Sequence, residues 1–335
     1  MFGVLIGTAM IVGCLEGNDM VRPLSVPEGL EERVEFWLDV FTKYSNRHRI
    51  IHDAEKPDRI YRIFNLSTSS PYPWMTKEQE AEFVKEEAER VASILKKLSE
   101  NDVKEEELTE EESRIYRLFG DQPDKKALHA AAERVHVQNG MRETFEEGLA
   151  RSICYLDTIR HILRAHGLPE DFAYLPHIES SFHPEARSKD GAVGLWQFTK
   201  AAGKQYLTIQ RGVDERTDPV LSTEAAAKHL KENFRVLGSW PLAVTAYNCG
   251  LNRVLNAVRK LRTKEVVRIV EEYRSRRFAY ASQNFYAEFL AAVHIAKHPF
   301  AYFGRVSSDS PMRVKVISVQ YPYVSDSMQP VDKAR

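Results

Sequence analysis

The amino-acid sequence predicts an all-α fold built from two helical domains. Apolar residues recur at helical spacing along most of the 335-residue chain, and capping residues or glycines stand where several of these segments begin or end. Hydrophobic residues make up 43% of the chain and charged residues 28%, which is the balance of a soluble globular protein. The length accommodates two domains, and we place a helical N-terminal domain at residues 15–140 and a second domain at residues 141–300.

Charge and metal-ligand spacing exclude several classes of function. The net charge is −1, so no overall field favours a nucleic-acid partner, and we expect none. The pairs His48/His52 and His294/His298 have helical metal-ligand spacing, but the carboxylate base and third ligand of a zinc site are missing from both. We therefore expect neither a metal nor another cofactor.

Residues 1–14 are predicted to form a signal peptide. Residues 2–12 are apolar, but this run is far shorter than the ~20 residues that a membrane-spanning helix needs. The run leads into "IVGC" at residues 11–14, which resembles the bacterial lipobox, so Cys14 is predicted to carry a lipid anchor. No Lys or Arg precedes the run, and an uncleaved anchor is the alternative. The other two cysteines, Cys154 and Cys249, are expected to be free thiols.

Two helices are predicted in the N-terminal domain. The first covers residues 29–44, where apolar side chains follow helical spacing. The second is long and charged, and it begins at a capping box formed by Thr76 and Gln79. Its apolar stripe spans only about two heptads, so a packed helix is favoured over a coiled coil.

The second domain is predicted to begin with a helix over residues 144–166 that ends at Gly167. Pro169 suits the first turn of a new helix, and Pro176 predicts a kink or break in it. Ser222 is predicted to cap a helix that ends at Gly238. A further helix is expected over residues 284–297, and residues 313–324, in a C-terminal extension of residues 301–335, alternate like an edge strand.

The segment "HIESSFHPEARSKDGAVGLWQF", residues 177–198, contains the candidate catalytic acid, Glu179. A Glu-Ser pair alone is typical of any protein surface. Here it is followed by Gly191 and Gly194, where a tight turn or a close ligand would need glycine, and then by Trp196. Further along the chain stand "AVTAYNCG" and "SQNFYAEFLAA".

Taken together and in this order, these segments resemble the lytic transglycosylases of the lysozyme-like superfamily, which carry the SLT domain. Within that superfamily the resemblance is to the membrane-bound lytic murein transglycosylase D group, and it covers roughly residues 140–300. The resemblance implies that residues 141–300 form a lysozyme-like catalytic domain.

The resemblance also implies an activity and a set of site residues. The substrate would be peptidoglycan, cut at the β-1,4 bond between N-acetylmuramic acid and N-acetylglucosamine. Glu179 would protonate the leaving oxygen and then act as base on the muramyl 6-hydroxyl, which gives a 1,6-anhydro end without consuming water. The implied substrate-binding residues are Ser180, Trp196, Gln197, Tyr247, Asn248 and Tyr286, among which Trp196 could equally be core and Tyr286 stands one position after the tyrosine of many relatives.

A single carboxylate is sufficient for this chemistry. An ordinary glycosidase uses two carboxyl groups, but a tethered hydroxyl nucleophile has a very high effective concentration and needs no second one. One carboxyl group can then act as acid and base in turn. It must begin protonated near neutral pH, well above the pKa of about 4.3 of a free glutamate. Apolar neighbours and a helix C-terminus would both raise the pKa of Glu179.

Two other functions are compatible with the motifs. A hydrolase resembling goose-type lysozyme would use water as nucleophile, but the sequence offers no convincing group to activate it. A non-catalytic wall-binding protein would use the groove without cutting. The acids Glu185, Asp190 and Glu224 are expected to be solvated side chains or helix-terminus charges rather than second catalysts. Asp214 and Arg216 are expected to form a structural ion pair.

The expected location is the periplasmic face of the outer membrane, where the chain would remodel the cell wall while tethered through Cys14. Leu15, rather than an aspartate, follows that cysteine, which is compatible with sorting to the outer membrane. The expected partners are the glycan strands of peptidoglycan and the membrane.

Overall fold

The computed structural model describes residues 24–68, 75–100 and 104–304. The predicted helical fold class is confirmed, since helices make up most of the described residues. Cys14 and the strand predicted over residues 313–324 lie outside them. The helices are α1 Glu31–Thr42, α2 Lys77–Glu100, α3 Glu110–Arg117, α4 Lys125–Ala132, α5 Arg142–Ser152, α6 Leu156–Ala165, α7 Pro176–Ser180, α8 Lys200–Gly203, α9 Pro219–Leu237, α10 Trp240–Cys249, α11 Leu251–Leu261, α12 Val266–Glu272, α13 Tyr280–Lys297 and α14 Pro299–Phe303. Short 3₁₀ turns cover Glu105–Glu107, Glu170–Tyr174 and Glu215–Thr217.

Both helices predicted near the N-terminus are confirmed. The apolar stripe of α1 is buried, at Leu30, Val34, Trp37, Val40 and Phe41. The capping box of α2 is formed, because the Thr76 amide donates to Gln79 Oε1 over 2.9 Å and the Gln79 amide donates to Thr76 Oγ1 over 3.3 Å.

The helix predicted over residues 144–166 is in fact two helices, α5 and α6. The chain turns between Ser152 and Leu156, and Ile153, which we placed on the apolar stripe, is 63% exposed. The turn lets α5 pack against α1 and α7 while α6 packs against α9, which one straight helix could not do. The predicted end at Gly167 is confirmed by its left-handed φ of 69°.

Two other helix starts differ from the prediction. Asp218, rather than Ser222, is the N-cap of α9, since its carboxylate accepts the amides of Val220 and Leu221 over 2.8 and 2.9 Å. The helix predicted from residue 284 begins at Tyr280. Its N-cap, Ala279, makes no side-chain cap bond, so the sequence contains no capping signal there.

An antiparallel sheet lies inside the predicted helical N-terminal domain. Its strands are β1 His48–Asp53, β2 Ile60–Asn65 and β3 Val135–Asn139, in the order β2-β1-β3. The last four residues of the central strand β1 are all fully buried. A strand covered on both faces does not alternate apolar and polar residues, so it gave no period-two signal. A minimal hairpin of β4 Ile209–Gln210 and β5 Val213–Asp214 follows α8.

Two hydrophobic cores organise the described residues. The larger is formed by α1 together with most helices from α5 to α13, and α9, α10 and α13 supply its centre. The smaller lies between β1 and β2 on one side and α2, α3 and α4 on the other. Although α1 falls within residues 15–140, it packs against α13 and α5, and buried Arg33 on α1 donates to Asn284 of α13 over 3.1 Å.

In the described part of the chain, no helix combines the length and the hydropathy that crossing a membrane requires.

Candidate active site

The short helix α7 positions the candidate acid, Glu179. Pro176 occupies the first helical position, and the predicted break there is confirmed, because the preceding 3₁₀ turn ends at Tyr174. The helix ends after five residues at Ser181 and Phe182, which both adopt the left-handed region with φ of 50° and 57°. Two such residues in succession, neither of them glycine, are a strained arrangement of the kind that clusters at functional sites.

Packing around α7 maintains this strained turn. The Arg151 guanidinium on α5 donates from Nε to the Ser181 carbonyl over 2.8 Å. Phe182 is fully buried. The turn is thus fixed from both sides, and the position of Glu179 is fixed with it.

Glu179 lies at the wall of a cleft of about 900 Å³. The residue is half-buried because one side of it faces the cleft, yet burial of the carboxyl group raises its pKa to about 8. Within the described residues, no hydrogen bond or ion pair reaches this carboxyl group, and burial is the cause of the shift. A helix of five residues has little dipole, so the helix-terminus contribution that we expected is minor.

The loop after α7 is shaped by one glycine and one ion pair. Gly194 has a φ of 86°, and a Cβ placed on it would lie 1.9 Å from the Arg216 carbonyl oxygen, so no other residue fits. The predicted Asp214–Arg216 ion pair is confirmed at 2.7 Å. The same guanidinium donates to the carbonyls of Gly191 and Phe198 over 3.0 and 3.1 Å, and it thereby closes the loop.

Three predicted site residues hold this loop in place. Ser180 donates from Oγ to the Leu195 carbonyl over 2.8 Å, which joins α7 to the loop. Gln197 has a φ of 47° and donates from Nε2 to the Gly194 carbonyl over 2.9 Å, while it also lines the cleft. Trp196 borders the cleft, but its side chain is fully buried and donates from Nε1 to Thr223 over 2.8 Å. Of the two roles left open for Trp196, the structure places it in the core.

The C-terminal end of α10 brings two further predicted residues to the cleft, Tyr247 and Asn248. The Tyr247 hydroxyl donates to the Trp196 carbonyl over 2.7 Å. Burial, and then the nearby Glu179 carboxylate, raises the pKa of Tyr247 well above its usual range, so this hydroxyl stays protonated. Asn248 is exposed at the cleft and accepts a hydrogen bond from Ser282 over 3.3 Å.

Tyr286 is not brought to the cleft. Its side chain is 2% exposed, and its ring packs 6.5 Å from that of Phe289. Asn284 points at Arg33 of α1. Tyr286 is two positions further along α13 and therefore points in nearly the opposite direction. Tyr286 therefore lies in the core.

A second carboxyl group near Glu179 was missed in the sequence. Glu288 on α13 is half-buried, and α13 packs against α7. Burial, and then the charge of Glu179, raises the pKa of Glu288 to about 8. Glu288 is not among the described residues that line the cleft, and burial, rather than Glu288, causes the raised pKa of Glu179. The available signal was a single acid within the apolar run of residues 285–296.

The cleft also has an aromatic and polar wall that the sequence did not reveal. Phe198, Tyr206, His229 and Glu232 line it. The buried thiol of Cys249 borders the same cleft, and burial raises its pKa to about 11. As expected, the two cysteines in the described residues are free thiols, with Cys154 exposed and Cys249 buried.

Comparison with known proteins shows what this region is similar to. Residues 159–269 match the family model of the Transglycosylase SLT domain. The chain is 36% identical over 107 residues to the membrane-bound lytic murein transglycosylase D of Escherichia coli (strain K12), a match that covers 31% of this chain and 24% of that protein. It is 37% identical over 117 residues to a putative tributyltin chloride resistance protein of Alteromonas sp. (strain M-1), covering 34% and 56%. It is 42% identical over 81 residues to a peptidoglycan transglycosylase of Escherichia phage T7, covering 23% and 6%.

A solved structure with a similar region is the 70 kDa soluble lytic transglycosylase of Escherichia coli. The TM-score is 0.38 at 18% identity, over 46% of this chain and 26% of that one. The chain thus spans about a quarter of the Escherichia coli sequence relative and just over half of the Alteromonas one. The resemblance to lytic transglycosylases is confirmed, and the residues that match the SLT family model include Glu179.

Proposed function

We propose that this protein is a peptidoglycan lytic transglycosylase that cleaves the β-1,4 bond between N-acetylmuramic acid and N-acetylglucosamine. The observation that carries the proposal is Glu179, a carboxyl group without a charged partner, at the wall of the cleft, with a pKa raised to about 8. Such a group is protonated at neutral pH, as a general acid must be. The SLT match supports the class of substrate and reaction.

In the first step, Glu179 donates its proton to the glycosidic oxygen. The bond between C1 of the muramyl residue and that oxygen breaks, and its electron pair leaves with the oxygen. Glu179 is then a carboxylate facing the positive charge that develops at C1, and this charge stabilises it in an otherwise apolar setting.

In the second step, the same carboxylate removes the proton of the muramyl 6-hydroxyl. The oxygen of that hydroxyl forms a bond to C1 at the same time. The product has a 1,6-anhydro ring, and Glu179 is protonated again, so acid and base are one residue. No water is consumed. The raised pKa serves both steps because it makes the carboxylate a stronger base than an ordinary glutamate.

The surrounding residues divide between substrate contact and support. Gln197, Tyr247 and Asn248 are proposed to contact the sugar, since they line the cleft with Glu179. Ser180 is proposed to act as a positioning residue, through its hydrogen bond to the loop. We assign Trp196 and Tyr286 to the core that supports these residues.

The goose-type lysozyme-like hydrolase is a second candidate, and Glu288 is the observation that favours it. A hydrolase needs a second group to activate water, and Glu288 is a carboxyl group near Glu179. That base would have to reach a water beside C1 in the cleft. Because Glu288 does not line the described cleft, the internal hydroxyl is the better nucleophile.

The proposed setting is the cell envelope, where the enzyme would remodel peptidoglycan. One relative is named as membrane-bound, and the lipobox-like "IVGC" before residue 15 supports a lipid anchor on Cys14. Stable attachment needs two or more acyl chains, which a bacterial lipoprotein cysteine carries. We place the protein on the periplasmic face of the outer membrane.

The test is product analysis by mass spectrometry after digestion of purified sacculi. We expect anhydro-muropeptides, which are one water lighter than hydrolysed products, to dominate at neutral pH. The Glu179→Gln variant should lose at least ~10²-fold in rate, while Glu185→Gln, an exposed acid in the following loop, should be unaffected. A digest made mainly of reducible muramic acid ends would identify a hydrolase instead.

A further inference from the structure

The cleft contains a polar cluster that the proposed reaction leaves unused. The Tyr206 hydroxyl lies 3.2 Å from Nδ1 of His229 and donates a hydrogen bond to the Glu232 carboxylate. His229 and Glu232 are three residues apart on α9, so both point to the same side of the helix. All three side chains line the cleft that contains Glu179.

This cluster fixes the tautomer of His229. Tyr206 has one hydroxyl proton, and a carboxylate is a stronger acceptor for it than an imidazole nitrogen. Burial, only partly offset by Glu232, lowers the pKa of His229, so its ring is neutral at neutral pH. Nδ1 must then carry the ring proton and donate it to the Tyr206 oxygen, which leaves Nε2 as an acceptor.

His229 is half-buried and lines the cleft. Among the described residues no hydrogen-bond partner reaches its Nε2, and this nitrogen is not one of those fully enclosed by protein. We infer that Nε2 is accessible from the cleft. The imidazole packs against the rings of Phe198 and Tyr247 at centroid distances of 6.1 and 5.4 Å, and those two rings lie 6.1 Å from each other. The cleft therefore presents a neutral acceptor beside a cluster of aromatic rings.

We propose that His229 Nε2 accepts a hydrogen bond from an uncharged donor on an amino sugar of the bound glycan strand, which makes His229 a substrate-binding residue. That the bound strand is a glycan of amino sugars rests on the proposed function. The contact made by His229 does not depend on the reaction that Glu179 catalyses. Two groups of such a strand are suitable donors, the ring hydroxyls and the acetamido N–H. The acetamido group also carries a methyl that can pack against the rings of Phe198 and Tyr247.

The proposal is tested by binding in the Glu179→Gln background, where cleavage does not interfere. The probes are a hexamer of N-acetylglucosamine and cellohexaose, which carries a hydroxyl in place of each acetamido group, and affinity is measured by NMR titration. His229→Phe keeps a ring but removes both nitrogens, whereas His229→Gln places an amide oxygen near the position of Nε2. His161→Phe, on the exposed side of α6, is the matched control.

We expect His229→Phe to weaken binding of the N-acetylglucosamine hexamer about 3- to 10-fold, the range of one neutral hydrogen bond. His229→Gln should restore most of the affinity, and His161→Phe should change nothing. If cellohexaose binding is unchanged by His229→Phe, the donor is the acetamido N–H, and if it weakens equally, the donor is a hydroxyl. Equal affinity of His229→Phe and its parent overturns the proposal, and so does an equal loss in His229→Gln.

Failure of the proposed function would be seen separately. The products that the chain with Glu179 intact releases from sacculi report on the chemistry, whereas the binding series reports on His229. Reducible ends, together with weaker glycan binding by His229→Phe, would refute the transglycosylase reaction but not the role of His229. In the active chain, we expect His229→Phe to raise KM more than it lowers kcat, because the contact is made with bound substrate as well as with the transition state.

Discussion

The buried acid should lower the stability of the protein at neutral and alkaline pH, and Glu179→Gln should reverse this effect. An ordinary glutamate has a pKa of about 4.3, whereas that of Glu179 is about 8. Between these two pH values the unfolded chain has released its proton and the folded chain has kept it. The folded state then binds more protons, so its stability falls as pH rises through this window.

The size of the effect follows from the same two values. One pKa unit corresponds to about 1.4 kcal/mol, so the difference sets an upper limit of about 5 kcal/mol above pH 8. Glu179 is half-buried at the cleft, and water there screens part of the cost of its charge, so we expect about 2 kcal/mol. Glutamine keeps the shape of the protonated acid but does not titrate.

The assay is urea unfolding followed by circular dichroism at pH 4 and at pH 8.5. Glu179→Gln should equal the wild type at pH 4, where both folded and unfolded chains are largely protonated, and should be about 2 kcal/mol more stable at pH 8.5. Glu185→Gln, in the exposed loop that follows, should show no such difference. If Glu179→Gln gains nothing at pH 8.5, then Glu179 titrates as an ordinary glutamate and our account of the acid is wrong.

Three further predictions follow from the site and from the N-terminus. The kcat/KM for sacculi should fall above a pH of about 8, as Glu179 loses the proton that it must donate, and a profile that keeps rising to pH 10 would contradict this. Gly194→Ala should destabilise the fold by more than about 1 kcal/mol and reduce activity, because its Cβ would lie 1.9 Å from the Arg216 carbonyl oxygen. In thermal unfolding, the control Gly191→Ala should cost less stability, because its Cβ meets no atom within 4 Å although Gly191 also has a positive φ. Cys14→Ser should move the protein from the membrane fraction to the soluble fraction, and unchanged fractionation without a lipid adduct would favour an uncleaved anchor.

The helices could be predicted from the sequence where one face of each is buried. The stripes of α1 and α2 have a helical period, and the Thr76 capping box is local, so neighbouring residues were sufficient. The turn between α5 and α6 and the sheet could not be predicted in this way. The turn exists because α5 and α6 have different packing partners, and β1 is covered on both faces, which removes the alternation that identifies a strand.

The residues of the candidate site likewise divide into those that local motifs predict and those whose role depends on tertiary packing. Glu179, Gln197, Tyr247 and Asn248 lie in short motifs, and the structure brings all four to one cleft. Whether Trp196 is core or wall depends on what covers its ring, which no neighbouring residue specifies.

Glu288, His229 and Tyr206 were not predicted as site residues, because the role of each depends on a contact with a residue that is distant in the sequence. An acid on an apolar helix matters only once α13 is seen to pack against α7, and a histidine on α9 matters only once Tyr206 is seen beside it. Long-range contacts of this kind leave no periodic or capping signal.

The arrangement around Glu179 explains why the predicted site needs so much structural support. A carboxyl group kept protonated at neutral pH must be denied hydrogen-bond donors and cations, and within the described residues none reaches it. A group without polar partners cannot be positioned by hydrogen bonds to its own side chain. Its position must come from the backbone, and the turn at Ser181 and Phe182, the Arg151 bond to the Ser181 carbonyl and the Ser180 bond to the loop all act there. The strain of that turn and the burial of the acid are therefore two consequences of one requirement, an acid that is fixed in place and remains uncharged until the substrate accepts its proton.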